Sequence, residues 1–393
     1  MIRAASVIEE GKLGGPQVRM VRVAADLPDR VETLIVMPRA NSGPFREMCA
    51  AHGVPHCVLP LTRITKEWHA ALAYVLFSPI EVLRLAYLFR RERIDLVHAS
   101  GGSWQYKAVI AARLVSIPSV WHLNDTFAPR WVRRLFRFVA PLASGFIFAS
   151  HRSQAYYGDL IPAELPQAVV PATVDTATFD PSQALPVDPD VPTDGPVIGT
   201  VANVSPIKGL ETLIRASACL GDMGHAPHVV INGAIPKRQS GYCRRLEALA
   251  DELGLKRVHF IGARSDVRPV LGQLDVYICC SVAESSPVSV WEAMAMARPI
   301  VSTDVGDVAR HVSDGEAGFI VPAGDDVAMA DRIARLLDDP DRRARMGKAA
   351  REAAQAFRSE EIARLTLGIY ESVLGSRLPN GAQRDGLESN KSG

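Results

Sequence analysis

Short apolar runs alternate with longer amphipathic segments along most of the 393-residue chain. The apolar runs have the length of buried strands, and the segments between them have helical spacing. Strands and helices in alternation indicate βαβ units, and therefore parallel sheets covered by helices on both faces. The predicted strands lie at 2–8, 31–37, 54–60, 95–99, 119–123, 144–149, 197–201, 228–232, 258–261, 276–280, 300–302 and 317–322.

Residues 181–196 interrupt this alternation. They hold five prolines among several aspartates, a composition typical of a linker between domains. We therefore predict two doubly wound α/β domains, the first at 1–183 and the second at 196–358. Residues 376–393 lack apolar periodicity, and we expect this tail to be disordered.

The stretch 275–306 carries the clearest candidate chemistry, because a buried strand, a polar loop, a helix and a second strand follow one another there. Ser285 and Ser286 are suitable helix caps, and Pro287 fits a first helical turn, where no backbone N–H is needed. The helix is predicted to run to about Ala297. Free N–H groups at a helix start favour a phosphate, and open α/β sheets bind ligands at the carboxyl ends of strands.

Two carboxylates flank this helix start, Glu284 in the preceding loop and Glu292 within the helix. A neighbouring phosphate repels a carboxylate, but a carboxylate accepts two hydroxyl hydrogen bonds from a sugar. In the alternative reading, Glu292 is a solvated helix residue and Glu284 is a stabilising charge at a helix N-terminus. The two residues alone leave both readings open.

The same stretch resembles the donor-binding signature of the retaining GT-B glycosyltransferases of family four. The resemblance rests on three motifs, which are Glu284-x7-Glu292, Ala293-Met294-Ala295 and Arg298-Pro299-Ile300-Val301. It implies the GT-B fold, in which two Rossmann-like domains face each other across a cleft. It also implies that the last helix, at about 359–375, crosses back onto the first domain.

The resemblance assigns roles to the residues around this helix. Glu292 would hold the donor ribose, and Glu284 would approach the transferred sugar. The helix start at Pro287, Val288 and Ser289 would bind the donor diphosphate.

The sequence departs from the family pattern at two places. Ala297-Arg298 stands where a glycine is usual, and Asp307 and Arg310 replace a second glycine and a later glutamate. We expect these changes to affect the choice of sugar more than donor binding.

Further donor-binding candidates follow the strands of the second domain. Lys208 precedes Gly209 in the loop after strand 197–201, and the pair matches the family's diphosphate-binding lysine. A surface lysine without a role is the alternative. Asn203 stands where many members carry an arginine, which should weaken the diphosphate clamp. Arg264, after strand 258–261, is expected to stack on the donor base.

A pair of glycines, Gly14 and Gly15, follows the first strand. Most such pairs are simply turns. At this position the pair would let a phosphate or an acceptor approach the backbone closely. The family has a Gly-Gly loop at the same point, facing the donor.

His122 lies at the carboxyl end of strand 119–123, with Asn124 and Asp125 beside it. Polar side chains at such a strand end line a ligand site. His122 resembles the family histidine that touches the donor sugar, and a structural histidine bonded to backbone is the alternative. His98, one strand earlier, is expected to be structural.

Residues 130–139 form a predicted basic amphipathic helix. Arg130, Arg133, Arg134 and Arg137 share one face, while the other face carries Trp131, Leu135 and Phe138. Such a helix is typical of contact with an anionic membrane surface. A solvated face over a stripe of core residues is the alternative.

Composition narrows the class of protein. A net charge of +1 and a pI of 7.7 argue against a nucleic-acid partner. The six cysteines lack metal-ligand spacing and indicate reduced thiols in the cytosol. Glu9 and Glu10 follow a short apolar start, which does not fit a signal peptide. Segment 68–89 contains Pro79, Glu81 and Arg84, which favours a pair of amphipathic helices over a membrane span.

No Asp-x-Asp motif follows a predicted strand, so we expect no metal and no other cofactor at the diphosphate. We predict a retaining glycosyltransferase of GT-B fold, with two Rossmann-like domains, that uses a UDP- or GDP-sugar. It is expected to be cytoplasmic and to associate with the inner face of the membrane through 130–139. The expected acceptor is a glycan or lipid-linked intermediate of bacterial surface polysaccharide synthesis. Two alternatives are a nucleotide-sugar epimerase of related fold and a binding protein without transferase activity.

Overall fold

The computed structural model describes residues 1–64 and 68–375, which divide into two compact units. The first unit comprises Met1–Pro171 together with the chain from Ser359, and the second comprises Ala172–Arg358. Residues 172–183, which the sequence assigned to the first domain, therefore belong to the second unit. The predicted disordered tail, 376–393, lies outside the described residues.

The first unit contains one parallel sheet of seven strands, formed by β1 (Ile2–Val7), β2 (Val31–Pro38), β3 (His56–Leu59), β4 (Leu96–Gly101), β5 (Ser119–Leu123), β6 (Gly145–Phe148) and β7 (Gln167–Val169). The strand order is β3-β2-β1-β4-β5-β6-β7. Strand β7 was not predicted from the sequence, because it is three residues long and only partly buried. The helices of the first unit are α1 (Gly15–Ala25), α2 (Gly43–Ala51), α3 (Trp68–Arg91), α4 (Lys107–Leu114), α5 (Arg130–Val139) and α6 (His151–Tyr157).

The second unit contains a parallel sheet of six strands, formed by β8 (Val197–Val201), β9 (His228–Asn232), β10 (Val258–Gly262), β11 (Val276–Cys279), β12 (Ile300–Thr303) and β13 (Gly318–Val321). The strand order is β10-β9-β8-β11-β12-β13. Its helices are α7 (Leu210–Asp222), α8 (Ser240–Glu252), α9 (Arg268–Gln273), α10 (Val288–Ala295), α11 (Val308–His311), α12 (Asp326–Leu337) and α13 (Pro340–Ala354). The final helix, α14 (Ser359–Gly375), groups with the first unit.

The two sheets confirm the predicted doubly wound fold class. In each sheet the chain adds strands in one direction and then returns to the starting strand to add them in the other. The reversal falls between β1 and β4 in the first unit and between β8 and β11 in the second. Such a reversal separates the loops at the carboxyl ends of two adjacent strands and leaves room for a ligand.

Helix α3 is a single helix, so the predicted pair of amphipathic helices is wrong. Pro79 lies inside the helix and removes one backbone donor. The inward stripe of Tyr74, Ser78, Val82 and Leu85 nevertheless continues through it, buried on both sides of the proline. Packing on the sheet therefore outweighs the cost of the proline. By length and composition alone, α3 is apolar enough to cross a membrane.

The predicted linker at 181–196 is part of the second unit. Val191 belongs to the hydrophobic core there, and the backbone N–H of Asp188 donates to Gln273 Oε1 at 2.6 Å. The carboxylate of Asp188 pairs with Arg264 at 2.7 Å. This segment, rich in proline and aspartate, is therefore packed onto the second unit and not a free linker. Asp188 and Asp190 hold it there through their pairing with Arg264.

Candidate functional site

Lys208 and Glu284 meet where the strand order of the second unit reverses. Lys208 ends a short 3₁₀ turn after β8, and Glu284 lies in the loop after β11. Because β8 and β11 are adjacent parallel strands, these loops emerge side by side. The Lys208 ammonium forms a salt bridge with the Glu284 carboxylate, and the two side chains are 24% and 16% exposed. The Ser281 hydroxyl donates to the same carboxylate oxygen at 2.8 Å.

Gly209 fixes the position of the lysine. Its φ of +58° lies in the left-handed region, and a Cβ there would stand 2.1 Å from the carbonyl oxygen of Cys280. The Cys280 thiol also donates to the Lys208 carbonyl at 3.2 Å. Only glycine allows this close approach of the two loops, so the matched Lys208-Gly209 pair has a structural reason beyond its charge.

Helix α10 begins beside this pair. Its first backbone bond runs from the Val290 N–H to the Pro287 carbonyl at 3.0 Å, so the N–H groups of Val288 and Ser289 have no intrahelical acceptor. These groups and the helix dipole favour an anion. The Ser289 hydroxyl accepts from Tyr277 at 2.8 Å, which anchors this turn to β11.

The predicted capping role of Ser285 and Ser286 is wrong, because Pro287 occupies the cap position and no side chain caps the helix. The Ser286 hydroxyl instead accepts hydrogen bonds from the Trp291 indole at 3.1 Å and from the Ala172 N–H at 2.9 Å. Ser286 therefore ties the start of the second unit to α10.

The helix ends two residues before the predicted end, at Ala295. Ala297 has a φ of +54°. Its N–H donates to the Met294 carbonyl and the Arg298 N–H donates to the Ala293 carbonyl, both at 2.9 Å. This is the helix-ending motif that usually contains glycine at the left-handed position. The family glycine that the sequence lacks is thus the residue that this turn would favour.

The other predicted donor residues of the second unit have different surroundings. Asn203 is exposed in the loop after β8, and Glu292 is half-buried on α10. Arg264 forms two ion pairs, with Asp188 and Asp190, which raise the pKa of its guanidinium. Only the faces of that planar group are left for a stacked base. The structure therefore brings together Lys208, Glu284 and the start of α10, and the donor contacts themselves stay predictions.

His122 is fully buried at the carboxyl end of β5. Its ring stacks on His98 with centroids 5.4 Å apart, and His98 Nε2 lies 3.3 Å from His122 Nδ1. The Tyr370 hydroxyl of α14 contacts His98 Nδ1 at 2.6 Å. Burial, and then the positive charge of Arg19, lower the pKa of both histidines well below 6.5. His122 is consequently neutral at pH 7, and its contact with a sugar stays a prediction.

Gly14 and Gly15 lie at the start of α1, with Gly14 as the residue before its first turn. Gly14 has extended backbone, and an added Cβ would meet only the Gln17 amide oxygen, at 3.4 Å. The fold of this unit thus does not itself require glycine at position 14, which is compatible with a ligand approaching the backbone there.

Sequence reasoning missed a buried charge cluster beside β1. Lys107 is fully buried, pairs with Glu81, lies 3.6 Å from Glu9 and stands 3.8 Å over the ring of Tyr74. Burial raises the pKa of Glu9 to about 7, although Lys107 opposes that rise. The only sequence signal was Glu9 directly after a strand at the reversal point.

Glu9 also lines a cavity of about 260 Å³ at the carboxyl ends of β1 and β2, together with Glu10, Asn41, Thr62 and Arg63. Most of the remaining lining is apolar, and the carboxylate oxygens of Glu9 are themselves buried. The polar groups of the other four residues are therefore the ones available to a hydroxyl-rich ligand. A cavity of this composition is a candidate acceptor site of the first unit.

Asp125, which the sequence placed only as a neighbour of His122, is a largely buried carboxylate with two hydroxyl partners. Burial raises its pKa to about 6, and its carboxylate accepts hydrogen bonds from Tyr157 and, at 3.3 Å, from Ser103. Within 1–64 and 68–375, no three His, Cys, Asp or Glu side chains converge as a metal site, and all six cysteines are free.

Two family models match the chain, Glycosyl transferases group 1 over residues 182–353 and Glycosyltransferase Family 4 over residues 13–178. The 2-deoxystreptamine glucosyltransferase of Streptomyces kanamyceticus is 29% identical over 401 residues, which cover 91% of this chain and 98% of the relative. The D-inositol 3-phosphate glycosyltransferase of Corynebacterium glutamicum (strain R) is 30% identical over 201 residues, or 50% of this chain. That match spans about half of the relative, 48% of its length.

Solved structures share the fold. Anabaena HepE in complex with UDP and glucose has a TM-score of 0.77 at 22% identity, covering 96% of this chain and 100% of that one. Sucrose-phosphate synthase from Thermosynechococcus elongatus has a TM-score of 0.77 at 20% identity, with the same coverage of 96% and 100%.

Proposed function

Because the chain belongs to the GT-B glycosyltransferases of family four, we propose that it transfers a sugar from a UDP- or GDP-sugar to an acceptor hydroxyl with retention of configuration. The observation that carries this proposal is the Lys208–Glu284 salt bridge beside the start of α10. A cation, a sugar-binding carboxylate and free N–H groups are the parts that a sugar diphosphate needs.

The salt bridge suggests how donor binding and chemistry are linked. A diphosphate would compete with Glu284 for the Lys208 ammonium, and the released carboxylate would then accept hydroxyl hydrogen bonds from the sugar. As the glycosidic bond breaks, charge develops on the diphosphate, where Lys208 and the N–H groups of Val288 and Ser289 stabilise it. Each such contact is worth roughly 1.5–3 kcal/mol, so these groups together hold the diphosphate without a metal ion. An oxygen of the departing diphosphate takes the acceptor proton on the same face, which retains the configuration.

The acceptor in this proposal is a lipid-linked or polysaccharide intermediate. The basic helix α5 supports it, since Arg130, Arg134 and Arg137 are exposed and suited to an anionic membrane surface. The names of the relatives instead mention cyclitols, D-inositol 3-phosphate and 2-deoxystreptamine. Small polyols are therefore the second class of acceptor to be tested.

A binding protein without turnover is the second candidate function. Asn203 favours it, because this exposed amide stands where an arginine would strengthen the diphosphate clamp.

Product analysis by mass spectrometry tests the proposal. The protein is incubated with UDP- and GDP-sugars and with no acceptor, a polyol or a bacterial lipid extract. We expect a glycosylated product that requires an acceptor. The Glu284→Gln variant should lower turnover about 100-fold, the size of a lost charged contact in the transition state, while UDP binding persists. A changed sugar without acceptor would show an epimerase, and binding without any product would show a silent protein.

A further inference from the structure

Helix α3 exposes a continuous apolar ridge, made by Leu72, Leu76, Ile80, Leu83 and Tyr87. Their spacing of three or four residues places them on one face of the helix. Leu83 and Tyr87 are 63% and 67% exposed, although both are large apolar side chains. Scattered exposed leucines are normal, but a ridge along a helix indicates an interaction surface.

The ridge is not the core face of a displaced helix. The opposite face of α3 is already buried, with Val82, Leu85 and Phe89 in the core of the first unit. Its one carboxylate, Glu81, is buried and paired with Lys107 of α4. The helix is therefore fixed along the sheet and cannot cross a bilayer, so the ridge is an outer surface of the folded unit.

Helices α4 and α5 extend this surface. They pack into the same core cluster as α3, through residues such as Val109 and Phe136, and so cover the same face of the sheet. Their outer sides, with the loop before α5, add Leu114, Phe127, Trp131 and Phe138. Val75 and Phe77 of α3 are also exposed, so eleven of the nineteen exposed large hydrophobic residues among the described ones belong to these helices and this loop. The apolar exposure is therefore concentrated here.

Helix α5 also corrects the sequence analysis. Its buried residues are Val132, Phe136 and Val139, whereas Trp131 and Phe138 are 55% and 79% exposed. The alternative reading, a core stripe of Trp131, Leu135 and Phe138, is therefore wrong for the two aromatic residues, whereas Leu135 packs partly buried against the core. Two aromatic rings lie exposed on the same helix as the arginines, an arrangement typical of membrane interfaces.

The exposed charges on the three helices of this surface have one sign. The exposed charged residues of α3, α4 and α5 are all arginines, which are Arg84, Arg90, Arg91, Arg113, Arg130, Arg134 and Arg137. Across the described side chains of these three helices, no carboxylate is exposed. Carboxylates adjoin the surface only where Glu92 pairs with Arg91 and Asp159 pairs with Arg133. A second copy of the same surface would therefore bring mostly arginines against arginines, which opposes self-association through it.

We propose that the outer surface of α3, α4 and α5, the arginine–leucine surface, docks on an anionic phospholipid bilayer. The α3 ridge enters the interface in the plane of the membrane, and the arginines contact lipid phosphates while their stems cover apolar surface. An apolar pocket of about 380 Å³ beside the ridge, lined by Leu59, Ile80, Leu83 and Tyr87 with Arg84 at its edge, accepts part of an acyl chain. This inference deepens the proposed lipid-linked acceptor, which rests on the same helix α5, but it does not depend on the transfer reaction.

Vesicle co-sedimentation of the full chain tests the proposal, with phosphatidylcholine vesicles that contain or lack phosphatidylglycerol. We expect binding only to the anionic vesicles, weakened by added salt. The Leu76→Glu/Leu83→Glu variant should bind about tenfold less, and so should Arg84→Glu/Arg90→Glu. Membrane binding needs both the insertion of apolar side chains and the attraction of the arginines to anionic lipid. The matched control, Met223→Glu/Val327→Glu, changes two exposed apolar residues of the second unit and should bind like the unaltered protein.

Three outcomes would overturn the proposal. These are no binding of the unaltered protein to anionic vesicles, equal binding by the ridge variants, and equal loss in the control. Light scattering that shows a dimer disrupted by the ridge variant, without vesicle binding, would assign the surface to a second copy instead. Thermal melting and binding of UDP and GDP by each variant check that the fold and the donor site are intact. Failure here would remove the support for a lipid-linked acceptor but would leave the proposed sugar transfer itself untouched.

Discussion

Single residues in this chain carry charge in places where water is excluded. The charges of Lys107 and Glu81 neutralise each other in a salt bridge, whereas the Glu9 carboxylate lies farther from the same ammonium group, at 3.6 Å. Glu9 is only 4% exposed, so its charged form is disfavoured and its pKa rises from 4.5 to about 7. Carboxyl groups poised near neutrality cluster at functional sites, which supports the assignment of the neighbouring cavity to an acceptor.

The raised pKa of Glu9 predicts a pH dependence of stability. The unfolded state releases this proton near pH 4.5 and the folded state near pH 7, so the carboxyl group destabilises the fold progressively as the pH rises through that range. Glu9→Gln should therefore stabilise the protein at pH 8 and have little effect near pH 4.5. Urea unfolding at the two pH values measures the difference.

Glu47→Gln is the matched control for this prediction, since Glu47 is exposed on helix α2 and its replacement should change the stability little at either pH. An equal stabilisation by Glu9→Gln at both pH values would contradict the assignment of the raised pKa. If the cavity binds the acceptor, Glu9→Gln should also raise the KM for the acceptor. This result would link the buried carboxyl group of Glu9 to function.

Elements were predictable where the hydrophobic pattern alone decides them. Strands β5, β8 and β9 have the predicted bounds because each is a short buried run. Elements whose sequence pattern fits two different structures were predicted wrongly. The prolines of 181–196 suggested a linker, but Asp188 and Val191 pack onto the second unit. The buried side of α5 could not be inferred from its arginines. Contact with the sheet determines which residues are buried, whereas the arginines only mark positions that are exposed.

The candidate site was predictable only in part, for a similar reason. The alternation of strands and helices predicts that Lys208, Glu284 and the start of α10 follow the carboxyl ends of parallel strands. That β8 and β11 are neighbours is shown only by the strand order of the structure. The burial of His122, the Lys107 cluster and the ion pairs of Arg264 depend on contacts between residues far apart in sequence. Periodicity within a segment carries no information about such contacts.

The end of helix α10 gives a stability prediction at the scale of an element. Ala297 adopts the left-handed conformation, which costs a non-glycine residue roughly 1–2 kcal/mol, while glycine costs roughly 0.5–1 kcal/mol in unfolded-state entropy. Ala297→Gly should therefore stabilise the protein by about 0.5–1 kcal/mol. Thermal or urea unfolding measures this gain.

Ala349→Gly is the matched control, because Ala349 lies in the middle of helix α13, where glycine costs about 1 kcal/mol. The two identical substitutions should thus have opposite signs. Destabilisation by Ala297→Gly would mean that the side chain of Ala297 contributes more by packing than its backbone conformation costs.

At the scale of the whole molecule, each unit repeats one plan and uses it differently. Both sheets reverse their strand order, and both place charged side chains at the reversal. The second unit exposes a lysine and a helix start suited to a diphosphate. The first unit buries Lys107, contains an open cavity lined by apolar and polar residues, and presents the arginine–leucine surface on its outer helices. These differences suit donor binding in one unit and acceptor and membrane contact in the other.

Nucleotide binding by the second unit is the measurement to make first. Thermal shift is recorded with UDP, GDP, ADP and CMP, with and without EDTA, for the unaltered protein and for Lys208→Ala and Glu292→Gln. Lys348→Ala, an exposed lysine of α13, serves as the control. Ligand at about 100 times its Kd adds roughly 2.7 kcal/mol, which is readily detected.

We expect one nucleoside diphosphate to raise the Tm, regardless of EDTA. Lys208→Ala should weaken its binding about 10- to 100-fold, the loss of one charged contact, and Glu292→Gln should also weaken it, whereas Lys348→Ala should not. No shift with any nucleotide, or a shift that Lys208→Ala and Glu292→Gln leave unchanged, would contradict a donor site at the start of α10.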